Sequence, residues 1–136
     1  VQAFAHKHRE TEKRHLALVE ALLPQQDRSV LLPLWRVAGF LTGAIPALFG
    51  PNAVFASVAA VETFVDDHYQ QQIEYLTATG FKPEIRDILA ACREDELEHK
   101  DEATMLQSNV PGVFLRGWCW LVKSGSKTAV TLARMG

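Results

Sequence analysis

Glu12-Lys13-Arg14-His15 and Glu96-Leu97-Glu98-His99 repeat one Glu-x-x-His spacing near opposite ends of the chain, and their reading decides the fold. On a helix, residues three apart share a face, offset by about 60° around the axis. Each pair therefore aims one carboxylate and one imidazole at the same neighbour. Glu62, on the helical pattern between them, supplies a third acid. Two such pairs, with acids from the two remaining helices, make the inward-facing ligand set of di-iron and di-manganese carboxylate bundles. With five histidines among 136 residues, chance gives on the order of 0.4 Glu-x-x-His matches. One match alone would mean little. Two on inward faces, in phase with Glu62, mark a metal site, and such a metal suggests oxygen chemistry. Ordinary salt bridges from Lys13, Arg14 or Lys100 to Glu12 and Glu96 are the competing reading.

Working outward from these motifs, five helical segments emerge. The first runs from about Val1 to Leu23, with Phe4, His8, Glu12, His15, Val19 and Leu22 at helical spacing and Pro24 closing it. A loop over residues 24–29 offers Asp27 or Ser29 as a cap. The second, Val30 to Phe49, is the most apolar stretch and holds one charge, Arg36. It is long enough to span a bilayer, but Pro33, Pro46, Gly39, Gly43 and Arg36 favour a buried crossover helix or a surface helix dipping into lipid. The third runs from Gly50-Pro51 to about Thr79, ended by Gly80, with Phe55, Val58, Glu62, Val65, Asp66 and Tyr69 on one face. The fourth, Pro83 to about Gln107, turns Ile85, Leu89, Cys92, Glu96, His99 and Ala103 inward. The fifth, about Val113 to Met135, mixes Phe114, Trp118, Trp120 and Leu121 with Arg116, Lys123, Lys127 and Arg134.

Helix rise brings the motifs level. At 1.5 Å per residue, Glu62 lies about 27 Å before Gly80 and Glu96 about 20 Å after Pro83; Glu12 lies about 18 Å before Pro24 and Glu62 about 16 Å after Pro51. Two hairpins joined by one long crossover is the ferritin-like connection. The expected fold is thus all-α: a single ferritin-like domain over residues 1–136, with a long apolar crossover helix and a C-terminal amphipathic helix.

Composition narrows the chemistry. Apolar residues make up 48 % and charged residues 22 %, and the net charge of −2 supplies no field for nucleic acid. Cys92 and Cys119 are too few for a disulfide framework or a thiolate zinc site, and Cys92 reads as a small core residue. Hard carboxylates with imidazole suit Fe, Mn or Zn, and the lack of thiolates argues against Cu(I) and iron–sulfur clusters. Zinc fits less well, because no dedicated hydrolytic base accompanies the ligands. Around this set, Asp95 is placed to bond a ligating histidine of a neighbouring helix. His68, about 120° from Glu62, is expected behind the ligands or in packing. Tyr69, one heptad on, is expected near the site. His8 is expected at the surface or behind the ligands, and Glu94, Glu98 and Glu102 as a solvated stripe.

Glu12-Lys-Arg-His15-Leu16, Leu32-Pro-Leu-Trp35-Arg-Val-Ala-Gly39-Phe40, Ala60-Val-Glu62 with His68-Tyr69-Gln-Gln-Gln-Ile73, and Asp95-Glu-Leu-Glu-His99-Lys-Asp101 together resemble the demethoxyubiquinone hydroxylases of ubiquinone biosynthesis. The resemblance implies a ferritin-like di-iron monooxygenase that hydroxylates the ring of a polyprenyl demethoxy-benzoquinone, with O2 as oxidant and NADH as electron donor. It implies two Fe ions held by Glu12, His15, Glu62, Glu96 and His99, with Glu12 and Glu96 bridging, and His68 and Tyr69 as catalytic residues beside substrate and metal. It also implies a peripheral membrane protein on the cytosolic face of a bacterial inner membrane, or on the matrix face of the mitochondrial one. The expected partners are the polyprenyl quinone, the membrane surface, a lipid-binding protein of the same pathway and further copies of the chain. The family carries an earlier helix with a sixth ligand, a Glu, so the chain is expected to be N-terminally incomplete. Two other readings remain: a ferritin- or rubrerythrin-like metal-binding protein, and a non-catalytic lipid-binding subunit.

Overall fold

The computed structural model describes residues 1–134, with the Asp27 side chain also set aside. The possible Asp27 cap and the expected helix end at Met135 thus lie outside the described positions. Five α-helices follow one another: α1 Gln2–Leu22, α2 Leu32–Ala47, α3 Pro51–Thr79, α4 Pro83–Met105 and α5 Val113–Ala133. Among the described residues there is no strand.

Proline and glycine set the boundaries. Pro33, Pro51 and Pro83 stand in the first turns of α2, α3 and α4, where no amide hydrogen is needed. Gly80 ends α3 in the left-handed conformation at φ 63°, which a glycine adopts without steric penalty. Pro24 precedes a single 3-10 turn at Gln25–Asp27. The Ser29 hydroxyl accepts from the Leu31 amide at 3.2 Å, shaping the entry to α2 without capping the helix itself.

α3 is the axial element. It pairs antiparallel with α4 across the tight turn at Gly80-Phe81-Lys82 and also carries α5 and, less closely, α2. α1 lies against α4. Small residues permit these approaches: Ala103 is fully buried, and Ala53 and Ala56 are nearly so. Phe4 from α1 meets Phe55 from α3 edge-on at 5.1 Å beside Ala103, and Val58 and Ala59 pack on this cluster. Burying an aromatic side chain of this kind contributes about 1.5–3 kcal/mol. Polar ties fix the remaining elements. The Trp118 indole N–H donates to Ser57 Oγ at 2.8 Å, and that hydroxyl donates in turn to Ala53 O at 2.8 Å. Asn52 Oδ1 accepts from the Ser108 amide at 3.0 Å and from the Asn109 amide at 3.3 Å, pinning the α4–α5 link to the start of α3.

Two expectations are refined by the coordinates. α2 is a crossover of 16 residues, and no helix among the described residues is long and apolar enough to cross a membrane. Only Pro46 of α2 is buried, while Leu34, Val37 and Phe40 are exposed, so the buried-crossover reading gives way to a surface one. On α1 the inward stripe stops at His15; Val19 and Leu22, expected on the same face, are exposed.

Candidate metal centre

Three helices converge at mid-height. α1 delivers Glu12 and His15, α3 delivers Glu62, and α4 delivers Glu96 and His99. One donor atom from each of Glu12, Glu62, Glu96 and His99 lies within 4.8 Å of all the others. Glu62, Glu96, His15 and His99 are buried, whereas the Glu12 side chain is 52 % exposed and forms the rim. His99 Nδ1 stands 3.3 Å from Glu96 Oε2 and 3.7 Å from Glu12 Oε1.

The competing salt-bridge reading fails on the lysines and arginines. Lys13 pairs with Glu10, Arg14 with Asp95 and Lys100 with Asp66, so none of the three neutralises Glu12 or Glu96. The acids are left to contend with one another. Burial, then the charge of Glu96 and a hydrogen bond with it, push the Glu62 carboxyl up to about 9. Burial and Glu96 raise Glu12 as well. Burial also opposes ionisation of Glu96, yet the neighbouring His99, Glu62 and His15 hold its carboxyl below the ordinary range. The strain is thus taken up by a proton kept on Glu62.

This donor set fits a cation. Glu96 Oε2 and His99 Nδ1 are both buried without a hydrogen-bond partner, a costly state for polar atoms. An ion among three carboxylates and an imidazole would engage both atoms and take the place of the proton on Glu62.

His15 stands just outside the group of four. Its Nδ1 contacts Glu96 Oε1 at 2.9 Å and its Nε2 contacts Asp95 Oδ2 at 2.9 Å, while Arg14 donates to the same Asp95 oxygen at 2.7 Å. The Asp95–histidine bond is the one expected from the sequence, and it leaves Nδ1 as the nitrogen facing the acids. Tyr69 faces this region too: burial, then Cys92, Glu96 and Glu12, drive its phenol well above the ordinary value. Cys92 is buried at 1 % exposure, as a core residue should be.

His68 takes a different side. Its ring stacks on Phe64, with centroids 5.8 Å apart, and it lines an α3–α5 groove of about 250 Å³ with Lys127 and Arg134. Burial, then Arg134, lower its pKa. His8 lies behind the ligands, one of the two places expected for it: it is buried against His99. Glu102, at the partly exposed edge of the stripe, contacts both His8 and Lys7. The available signal was the i, i+4 spacing from His8 to Glu12, which puts both on the inward face.

A helical bundle with a buried carboxylate–imidazole cluster drawn from three helices has the architecture of the ferritin-like class. Within that class, the chain belongs to the ubiquinone biosynthesis protein COQ7 family, whose model matches residues 1–133. It is 34 % identical over 125 residues to the mitochondrial NADPH-dependent 3-demethoxyubiquinone 3-hydroxylase of Dictyostelium discoideum, covering 90 % of this chain and 57 % of that protein. It is 37 % identical over 94 residues to the rat protein of the same name, covering 66 % and 43 % respectively. It is also 38 % identical over 92 residues to the 3-demethoxyubiquinol 3-hydroxylase of Rhodospirillum rubrum, covering 66 % and 42 %. The chain thus spans about half the length of the curated relatives it matches. No solved structure matches it.

Proposed function

We propose that this chain is the catalytic part of a di-iron monooxygenase that hydroxylates the ring of a polyprenyl demethoxy-benzoquinone. The observation that carries the reading is the convergence of Glu12, Glu62, Glu96 and His99 within 4.8 Å, in a chain of this family. These four, with His15 turning Nδ1 to the same space, would hold two irons. Bound there, the irons supply reductive activation of O2. Electrons come from a reduced nicotinamide nucleotide; the family resemblance implies NADH, and the names of the Dictyostelium and rat relatives specify NADPH.

The protein's own share is positioning and exclusion of water. Asp95 and Arg14 hold His15. An apolar route supports a lipid-like substrate. A groove of about 440 Å³ between Phe49, Phe114 and Trp118 shares Pro46 with a narrower one of about 130 Å³ that includes Val58, Val61 and Glu62. A prenyl tail lying in the wider groove would direct its ring towards Glu62. The exposed Val37, Phe40, Phe114 and Trp120 support docking on a membrane surface. The cytosolic face of a bacterial inner membrane, or the matrix face of a mitochondrial one, would suit this role. A lipid-binding protein of the pathway and further copies of the chain would be its partners.

The test is hydroxylation of a short-tailed demethoxyquinone by the protein from its own reading frame, supplied with Fe(II), O2 and a reduced nicotinamide. Product is expected from the wild type, and none from Glu62→Ala or Glu96→Ala. Iron binding without hydroxylated quinone would overturn the substrate assignment and favour a metal-storage role.

A further inference from the structure

We propose that His8 is a positioning residue for His99: its ring, stacked flat on the His99 ring, fixes the plane in which Nδ1 faces the three glutamates. The inference rests on the metal-centre reading and adds a residue to it.

The two histidines of the Glu-x-x-His motifs are held in different ways. His15 is tethered at its outer nitrogen by Asp95, and Asp95 by Arg14. Among the described residues, no protein group accepts a hydrogen bond from His99 Nε2. A metal-facing histidine without such a tether can rotate about its χ2 torsion and lose its aim. The packing supplies the missing constraint. The His8 and His99 centroids are 3.8 Å apart with the planes 20° from parallel. Phe4 lies on His8 at 3.8 Å, and Phe55 braces Phe4 edge-on at 5.1 Å. His8 is held laterally as well: its Nε2 lies 3.4 Å from Glu102 Oε2, and Lys7 Nζ holds that carboxylate at 2.6 Å. His8 is buried at 8 % exposure, so the stack is a packed column running from the hydrophobic cluster to the acids.

The column follows from helix spacing. Phe4, His8 and Glu12 recur every four residues on α1, while His99 and Ala103 do so on α4. Ala103, with no exposed surface, leaves the space in which Phe4 can reach Phe55. A ring is needed at position 8 for its flat face, and its nitrogen only for the contact with Glu102.

The test compares wild type, His8→Leu, His8→Phe and His99→Ala, all from the natural reading frame. Anaerobic Fe(II) affinity is measured by competition with a chelator, and metal-free melting and far-UV circular dichroism report the fold. His8→Leu preserves apolar volume but not stacking and should bind roughly tenfold more weakly. His8→Phe should recover most of that loss. Affinity of His8→Leu within about twofold of wild type overturns the proposal, as does equal weakening in the Leu and Phe variants. Equal affinity of wild type and His99→Ala is a separate result: it contradicts the metal centre itself.

Discussion

At the scale of single residues, Glu62 sets the protonation state of the centre. Its carboxyl moves from an ordinary 4.5 to about 9 on folding. Between those values the folded chain keeps a proton that the unfolded chain has released, so unfolding releases a proton and rising pH favours the unfolded state. The contribution is complete below about pH 4.5 and disappears as pH climbs through about 9. Metal-free protein should therefore melt at falling temperature from about pH 5 to about pH 9. Glu62→Gln, which cannot ionise, should flatten that decline; an unchanged slope in the variant would contradict the assignment. Metal affinity should run the other way, rising with pH because the ion displaces the proton. Asp95 makes a second residue-scale prediction. Asp95→Asn keeps the shape but weakens the charge-assisted contact that orients His15, and should cost roughly 10- to 100-fold in metal affinity. Chelator competition that finds no change would show that His15 is held by packing alone.

At the scale of elements, the close approach of α1, α3 and α4 depends on Ala103. Leucine there would add volume at a fully buried position where Phe4 meets Phe55, and overpacking of this kind costs about 1–3 kcal/mol. Ala103→Leu should lower the unfolding free energy by that amount, read as a lower denaturant midpoint, and also weaken metal binding, because displacing α1 draws Glu12 and His8 away from α4. A loss of stability with unchanged metal affinity would show that α1 can shift without disturbing the site. Helix ends were readable in the sequence because proline and glycine act locally, as at Pro51, Gly80 and Pro83. The inward faces of α3 and α4 were readable because their periodicity is unbroken from Phe55 to Tyr69 and from Leu89 to Ala103. The exposed end of α1 was not, because Val19 and Leu22 continue the pattern past the point where the described neighbours cover it.

At the scale of the whole molecule, helix rise alone brought three acids level across separate rods, and the coordinates bear this out. The lateral arrangement was harder to foresee. His68 lies beside Lys127 and Arg134 because α5 packs on α3 at that side, and nothing in the local spacing around His68 encodes where a later helix will lie. The stacking of His8 on His99 was hidden for the same reason: it joins residues from opposite ends of the chain, and each looks unremarkable on its own helix. The same long-range closure leaves a cluster of acids with too few cationic partners, a deficit that a bound cation would relieve.

Elemental analysis of desalted protein, prepared with Fe(II) from its own reading frame, tests that claim most directly. About two irons per chain are expected in the wild type and close to none in Glu96→Ala at unchanged helicity. Wild-type protein that is folded yet holds no more iron than the Glu96 variant would contradict it.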